Sequence, residues 1–214
     1  MNKNILNLHL DILDKRRREL LVNLTPLTES FALGGGTGLA LQLAHRISLD
    51  FDFFSSAEIP KKLFEKLSQK IAIRNVAIDT SDELTFFTKD NIKVTFLYYP
   101  FKTHYGYCEA ESGFRIFPVK EIAVQKAYTI GRRGEYRDYF DLYTILKNDY
   151  IGFDELIRST KKVYGSVFDE KIFLQQLVYF GDMSNFEVIP VSQKPIPTPE
   201  EVKRYFEALV KRYI

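Results

Sequence analysis

Apolar positions along this chain follow two rhythms, and the change between them falls near residue 118. Before it, short apolar runs alternate with clusters of turn-forming residues, as strands do. Phe31–Leu33 is one such run. Ile71–Ile78, Leu84–Thr88 and Ile92–Tyr99 follow, separated by Asp79-Thr80-Ser81-Asp82 and Lys89-Asp90-Asn91. Together they predict an antiparallel meander joined to a strand over Asp50–Phe54. Helical spacing marks Ile5–Asn23, which closes before Pro26, and Lys61–Gln69, which follows Pro60. A further short helix is expected after Gly36, with Thr37 as its cap and Leu39, Leu43 and Ile47 on its apolar side. Phe101–Arg115 is aromatic and irregular. From Val119 the spacing is helical over Val119–Ile130, Glu135–Lys147, Phe153–Val163, Asp169–Tyr179 and Glu200–Tyr213. A linker-like stretch, Pro190–Pro199, interrupts it. No internal repeat is visible, and the chain divides into an α/β part, 1–118, and a helical part, 119–214.

Composition narrows the class without naming a function. At 214 residues the chain can bury a full core. Its 45% hydrophobic and 27% charged content suits a globular protein rather than a disordered one. A formal net charge of +2 is too near balance to announce nucleic-acid binding. The single cysteine, Cys108, excludes an internal disulfide framework and fits a reducing compartment. No apolar run reaches the length of a membrane span, and the start, Met1-Asn2-Lys3-Asn4, lacks an apolar signal region. The expectation is a cytoplasmic protein with no membrane partner.

The chemistry gathers in Leu33-Gly34-Gly35-Gly36-Thr37-Gly38-Leu39 and Leu49-Asp50-Phe51-Asp52-Phe53-Phe54. In extended chain, residues i and i+2 point to the same face, so Asp50 and Asp52 project together while Phe51 and Phe53 face the core. Two carboxylates that close repel, and a divalent cation relieves the repulsion. Mg²⁺ is bound in this way, through one or two carboxylates with phosphates and waters. Glycines lacking Cβ let backbone N–H groups approach a phosphate, and the following helix offers its positive end. Gly35, Gly36 and Thr37, with Arg46 and Ser48 between the glycines and the carboxylates, are therefore candidates for holding a nucleotide.

The helical part adds a second group. Ile122, Lys126 and Ile130 recur at helical spacing, which sets a lysine on an apolar line. On the next helix Asp138 and Asp141 share a side with Leu142 and Ile145. A buried charge needs a partner. Lys126 meets that need either against these aspartates or against a triphosphate, and Arg137 and Asp141 are spaced to pair with each other. The basic run Lys15-Arg16-Arg17-Arg18 suits RNA phosphates or a solvated helix face.

The string GGTGLALQLAHRISLDFDFFS resembles the AbiEii/AbiGii toxin family of nucleotidyltransferases. VKEIAVQKAYTIGRRGEYRDYFDLYTIL resembles the same family's second signature, carried by Glu121, Ala123, Lys126, Arg137, Asp138, Asp141 and Leu142. The resemblance implies an α+β fold, a nucleotidyltransferase-like mixed β-sheet with flanking helices, and a helical half that completes the active-site cleft. It also implies that Lys126 contacts the nucleotide and that Asp138 or Asp141 belongs to the active site. The implied activity is Mg²⁺-dependent transfer of a nucleoside monophosphate from a nucleoside triphosphate to an acceptor hydroxyl. That acceptor is RNA, a tRNA 3′ end among the choices, or protein. Arg46, Arg132, Arg133 and Arg137 are the implied phosphate contacts, and a cognate antitoxin is the implied partner.

One feature departs from the superfamily. A third carboxylate is expected on a neighbouring strand, yet Ile92–Tyr98 contains no acid; its Thr95 is only a weak ligand, and Asp90 lies before it. The gap leaves open an inactive relative that binds nucleotide or a partner. Other classes fail on spacing: Leu39 breaks G-x-G-x-x-G, no Gly-Lys-Ser/Thr follows, and His9, His45 and His104 lack zinc-ligand spacing.

Overall fold

The computed structural model describes residues 5–183, 185–191 and 195–214. The chain folds into two compact units, one of Met1–Lys102 with Gly106–Pro118 and the other of Thr103–Tyr105 with Val119–Ile214. Residues Met1–Asn4 and, within the proline-rich stretch, Ser192–Lys194 lie outside the described residues.

Among the described residues the first unit has eight strands: β1 (Ile5–Leu6), β2 (Ala32–Leu33), β3 (Phe51–Ser55), β4 (Ile73–Asp79), β5 (Glu83–Thr88), β6 (Lys93–Tyr98), β7 (Cys108–Ala110) and β8 (Arg115–Ile116). They form one mixed sheet in the order β1-β7-β8-β2-β3-β6-β5-β4. The expected meander is β4-β5-β6, antiparallel throughout, and β3 joins it parallel to β6. Alternation decides the faces. Phe51, Phe53, Leu84, Phe86, Val94 and Phe96 are fully buried on one side of β3, β5 and β6. Phe53 stacks on Phe96 at 5.2 Å, and Phe31 meets the same ring edge-on at 4.9 Å. Burying each such ring contributes about 1.5–3 kcal/mol. These rings hold β3 in place, so the residues between them must face the other way.

Three sequence expectations change here. The helix expected over Ile5–Asn23 resolves into β1, a 3₁₀ turn at Leu10–Ile12, and α1 (Lys15–Leu24). Asp14 accounts for the late start, because its side chain accepts from the Arg17 N–H at 2.9 Å and caps the helix there. Phe101–Arg115 is not wholly irregular: β7 and β8 pair antiparallel around Gly113, whose φ of +89° suits a residue without Cβ. Thr37 is not a cap. Gly34 occupies the N-cap position of α2 (Gly35–Leu43), which ends at Ala44 in the left-handed region and so excludes Ile47.

The second unit is helical, as its spacing predicts: α4 (Val119–Thr129), α5 (Tyr136–Lys147), α6 (Phe153–Tyr164), α7 (Glu170–Val178) and α8 (Pro199–Tyr213), numbered after α3 (Leu63–Ser68) of the first unit. A capping box between Thr198 and Glu201 starts α8, with Pro199 at its first position. α4 packs against both α5 and α6 and buries seven consecutive residues, Glu121–Ala127. A helix enclosed on every side must find partners for whatever polar groups it carries. Glu121, Gln125 and Lys126 are such groups.

Candidate active site

In the first unit the glycine turn meets the segment that carries Asp50 and Asp52. Gly34 N–H donates to the Asp52 carbonyl at 2.9 Å, and the Thr37 hydroxyl donates to the Asp50 carbonyl. Thr37 thus fastens the first turn of α2 to the chain entering β3. Asp52, half-buried, takes the face opposite Phe51 and Phe53, and Asp50 lies just before the strand. Gly35 has φ +59°, where a side chain is strained, and a Cβ there would stand 2.5 Å from Asp52 Oδ2. A Cβ on Gly36 would collide with Arg46 Nη2 and lie 2.9 Å from Ser48 Oγ. The glycines are therefore required by the close approach of Asp52 on one side and of Arg46 and Ser48 on the other. Arg46 is 3% exposed, and its Nη1 donates to the Ile47 carbonyl at 3.1 Å. The structure brings together Gly35, Gly36, Thr37, Arg46, Ser48, Asp50 and Asp52.

Among the described residues no three or more His, Cys, Asp or Glu side chains gather as a metal-holding group. The donors on hand are the carboxylate pair. That set fits Mg²⁺ in the manner that leaves phosphate oxygens and waters to complete its shell. The glycine turn lets Asp52 pack directly against its backbone, where a Cβ would strike the carboxylate.

In the second unit Lys126 Nζ lies 2.6 Å from Asp138 Oδ1 and 2.7 Å from Asp141 Oδ2. The three residues are 5%, 2% and 0% exposed. Arg133 adds two bonds to Asp138, from Nε at 2.7 Å and Nη2 at 2.9 Å. Burial pushes the Asp138 carboxyl up, but the Lys126 and Arg133 charges outweigh it and hold the group below the usual carboxylate range. Two cations therefore meet two carboxylates, the paired arrangement that burial demands. Lys126 faces the aspartates.

The other basic residues are engaged locally. Arg137 pairs with Glu135 at 3.1 Å and not with Asp141, since Asp141 turns inward to Lys126. Arg132 donates to the Tyr128 and Val167 carbonyls and lies over the Tyr128 ring at 3.8 Å. Along α1, Arg16 pairs with Asp90 and Arg17 with Asp14, Lys15 lies 3.9 Å from Glu19, and Arg18 donates to the Leu13 carbonyl. Each of the four basic side chains thus has a partner within the chain.

Sequence reasoning left Glu121 without a task. It is fully buried, and its Oε2 accepts from the His104 and Tyr105 N–H groups at 2.9 and 2.7 Å. Burial pushes this carboxyl up, and the two amide bonds oppose that only in part. Tyr105 hydroxyl also bonds Glu155 and Ser159, so the segment Thr103–Tyr105 is tied to the helical unit at both ends of the tyrosine. No local pattern signals a bond across so many residues.

A mixed sheet with a glycine turn set against paired aspartates is a nucleotidyltransferase fold. Its solved likenesses agree. A Helicobacter pylori protein described as a candidate nucleotidyltransferase matches with a TM-score of 0.59 at 21% identity, covering 95% of this chain and 93% of its own. The H. pylori protein JHP933 matches with a TM-score of 0.50 at 18% identity, covering 97% and 98%. The sequence is also 32% identical over 210 residues to an uncharacterised protein of Aquifex aeolicus, covering 94% of this chain and 98% of the relative. The model of the nucleotidyl transferase AbiEii toxin family, type IV toxin–antitoxin system, matches residues 19–200. The chain belongs to that family. No described helix is long and apolar enough to cross a membrane.

Proposed function

We propose that this protein is a Mg²⁺-dependent nucleotidyltransferase that moves a nucleoside monophosphate from a nucleoside triphosphate to a hydroxyl of RNA, and that it acts as the toxin of a toxin–antitoxin pair. Family membership supports the reaction class and the antitoxin. The observation that carries the reading is the packing of Gly35 against Asp52 and of Gly36 against Arg46 and Ser48. It joins a turn of exposed backbone N–H groups at a helix start, a carboxylate and a buried guanidinium, which are the chemical needs of a bound triphosphate with its cation.

Asp50 and Asp52 would hold the cation, which when bound offsets phosphate charge as the acceptor oxygen displaces pyrophosphate. The N–H groups opening α2 would line the phosphates, whose negative charge the helix end favours. Arg46 contributes fixed positive charge from a site where water screens it little. Thr37 keeps this turn registered on Asp50. The chain's part is positioning and charge stabilisation, the usual means of phosphoryl-group transfer.

One observation favours a second reading, a nucleotide-binding module without transfer: β6, beside β3, carries no carboxylate. Incubation with α-labelled nucleoside triphosphates, Mg²⁺ and total RNA separates the two. Label entering RNA with wild-type protein but not with Asp50→Ala supports transfer. Nucleotide binding with no label in RNA or protein supports the module.

A further inference from the structure

The place where a third carboxylate is missing is not chemically empty. Asp52 on β3 stands in register with Thr95 on β6, and Thr95 stands in register with Thr85 on β5. Partners in register point to the same side of a sheet. The side opposite Phe53, Phe96 and Phe86 therefore presents Asp52, Thr95 and Thr85 in a row across three strands, at about 4.8 Å per step. Glu83, two residues before Thr85 on β5, shares that side.

Hydrogen bonding runs along the row. Thr85 hydroxyl donates to Glu83 Oε1 at 2.6 Å, and the Thr85 and Thr95 hydroxyl oxygens lie 3.2 Å apart. Both threonines are 3% exposed. A hydroxyl has one proton, and a carboxylate offers only acceptors. Thr85 gives its proton chiefly to Glu83 in the shorter, charge-assisted bond. The Thr95 oxygen accepts the longer contact from the same hydroxyl at 3.2 Å. Thr95 lies on the face it shares with Asp52. Glu83, two hydroxyls away, sets the polarity of the row.

We propose that the Thr95 hydroxyl oxygen, oriented by Thr85 and Glu83, is the third protein oxygen of the Asp50–Asp52 site and a ligand for the divalent cation held there. The inference rests on the reading of that pair as a cation site. It explains how β6 serves the site without an acid, because a threonine hydroxyl oxygen is a hard, neutral ligand of the kind Mg²⁺ accepts. It also assigns Glu83 a positioning role from one strand further out.

Mn²⁺ titration followed by electron paramagnetic resonance, with a non-hydrolysable ATP analogue present, tests this on the full chain. Asp52→Asn weakens Mn²⁺ binding if the carboxylate pair holds the cation. Thr95→Val, which removes the hydroxyl at nearly constant shape, weakens it about 10-fold or more, the loss usual for groups that support a metal. Thr95→Ser stays within about threefold of wild type, and Thr95→Asp binds Mn²⁺ more tightly. Glu83→Gln, whose amide can donate toward Thr85 and so reverse the row, weakens binding although it lies outside contact range. Wild-type affinity in folded Thr95→Val, or in Glu83→Gln if the valine variant does not fold, overturns the proposal while leaving the Asp50–Asp52 reading intact. Equal Mn²⁺ binding by wild type and Asp52→Asn overturns both.

Discussion

Replacing Lys126 by Met removes an ammonium that two buried carboxylates share. Asp141, wholly buried, loses a partner at 2.7 Å, and Asp138 loses one at 2.6 Å while keeping Arg133. Breaking a buried pair by deleting one member costs about 3–5 kcal/mol, because the remaining charge is stranded away from water. At about 2–4 °C per kcal/mol for a chain of this size, the melting transition of the helical unit falls by about 6–20 °C. Far-UV circular dichroism at pH 7 measures it. The deficit relative to wild type narrows as pH falls, since without the ammonium the carboxyls take up protons more readily in the folded state. Adding Asp141→Leu to Lys126→Met recovers much of the loss, because Arg133 still serves Asp138 and no stranded charge remains at Asp141. A melting temperature for Lys126→Met within about 2 °C of wild type at pH 7 would refute the ion-pair account.

Other consequences are equally open to measurement. Gly35→Ala places a Cβ where φ is +59° and 2.5 Å from Asp52 Oδ2; the backbone strain and a displaced Asp52 rotamer cost about 2–3 kcal/mol together by denaturant titration, with weaker nucleotide binding. Asp138 sets a pH dependence: its folded carboxyl lies below the ordinary value, so its contribution is full above the unfolded value of about 3.9 and is lost as pH falls through the folded one. Asp138→Asn should flatten that acid limb of the stability profile, and an unchanged limb would contradict it. Glu121→Ala frees the His104 and Tyr105 amides, so their hydrogen exchange accelerates at least 10-fold, each bond to a carboxylate being worth about 1.5–3 kcal/mol. Unchanged protection would mean that Glu121 does not hold the segment.

Where chemistry and fold could be read from local pattern, they were. The i, i+2 alternation put Asp52 on one face and Phe51 and Phe53 on the other, and turn clusters delimited the meander to within a few residues. The helical spacing of α4 and α5 exposed Lys126 and Asp138 as charges on apolar faces, although spacing alone allowed either aspartates or a ligand opposite the lysine. What escaped depends on distant partners. β1 and β8 are two residues long and exist because a neighbouring strand lends them hydrogen bonds, so no intrinsic signal marks them, whereas the run Phe31–Leu33 did mark β2. Asp14 split the first helix because a cap competes with the periodicity around it. The row from Asp52 through Thr95 and Thr85 to Glu83 needs the parallel register of β3 on β6. The sequence names Thr95 on β6 only as a weak ligand, because the hydroxyl row that joins it to Glu83 needs β5 in register beside it.

The central claim is that the glycine turn and the Asp50–Asp52 pair together hold a cation-bound triphosphate. Calorimetric titration of a non-hydrolysable nucleoside triphosphate into the full chain, with Mg²⁺ and with EDTA, tests it most directly. The account predicts binding that requires Mg²⁺ and is lost in Asp50→Asn and in Asp52→Asn, both variants keeping the wild-type melting temperature. Binding of equal strength in EDTA, or in both variants with Mg²⁺, would contradict it.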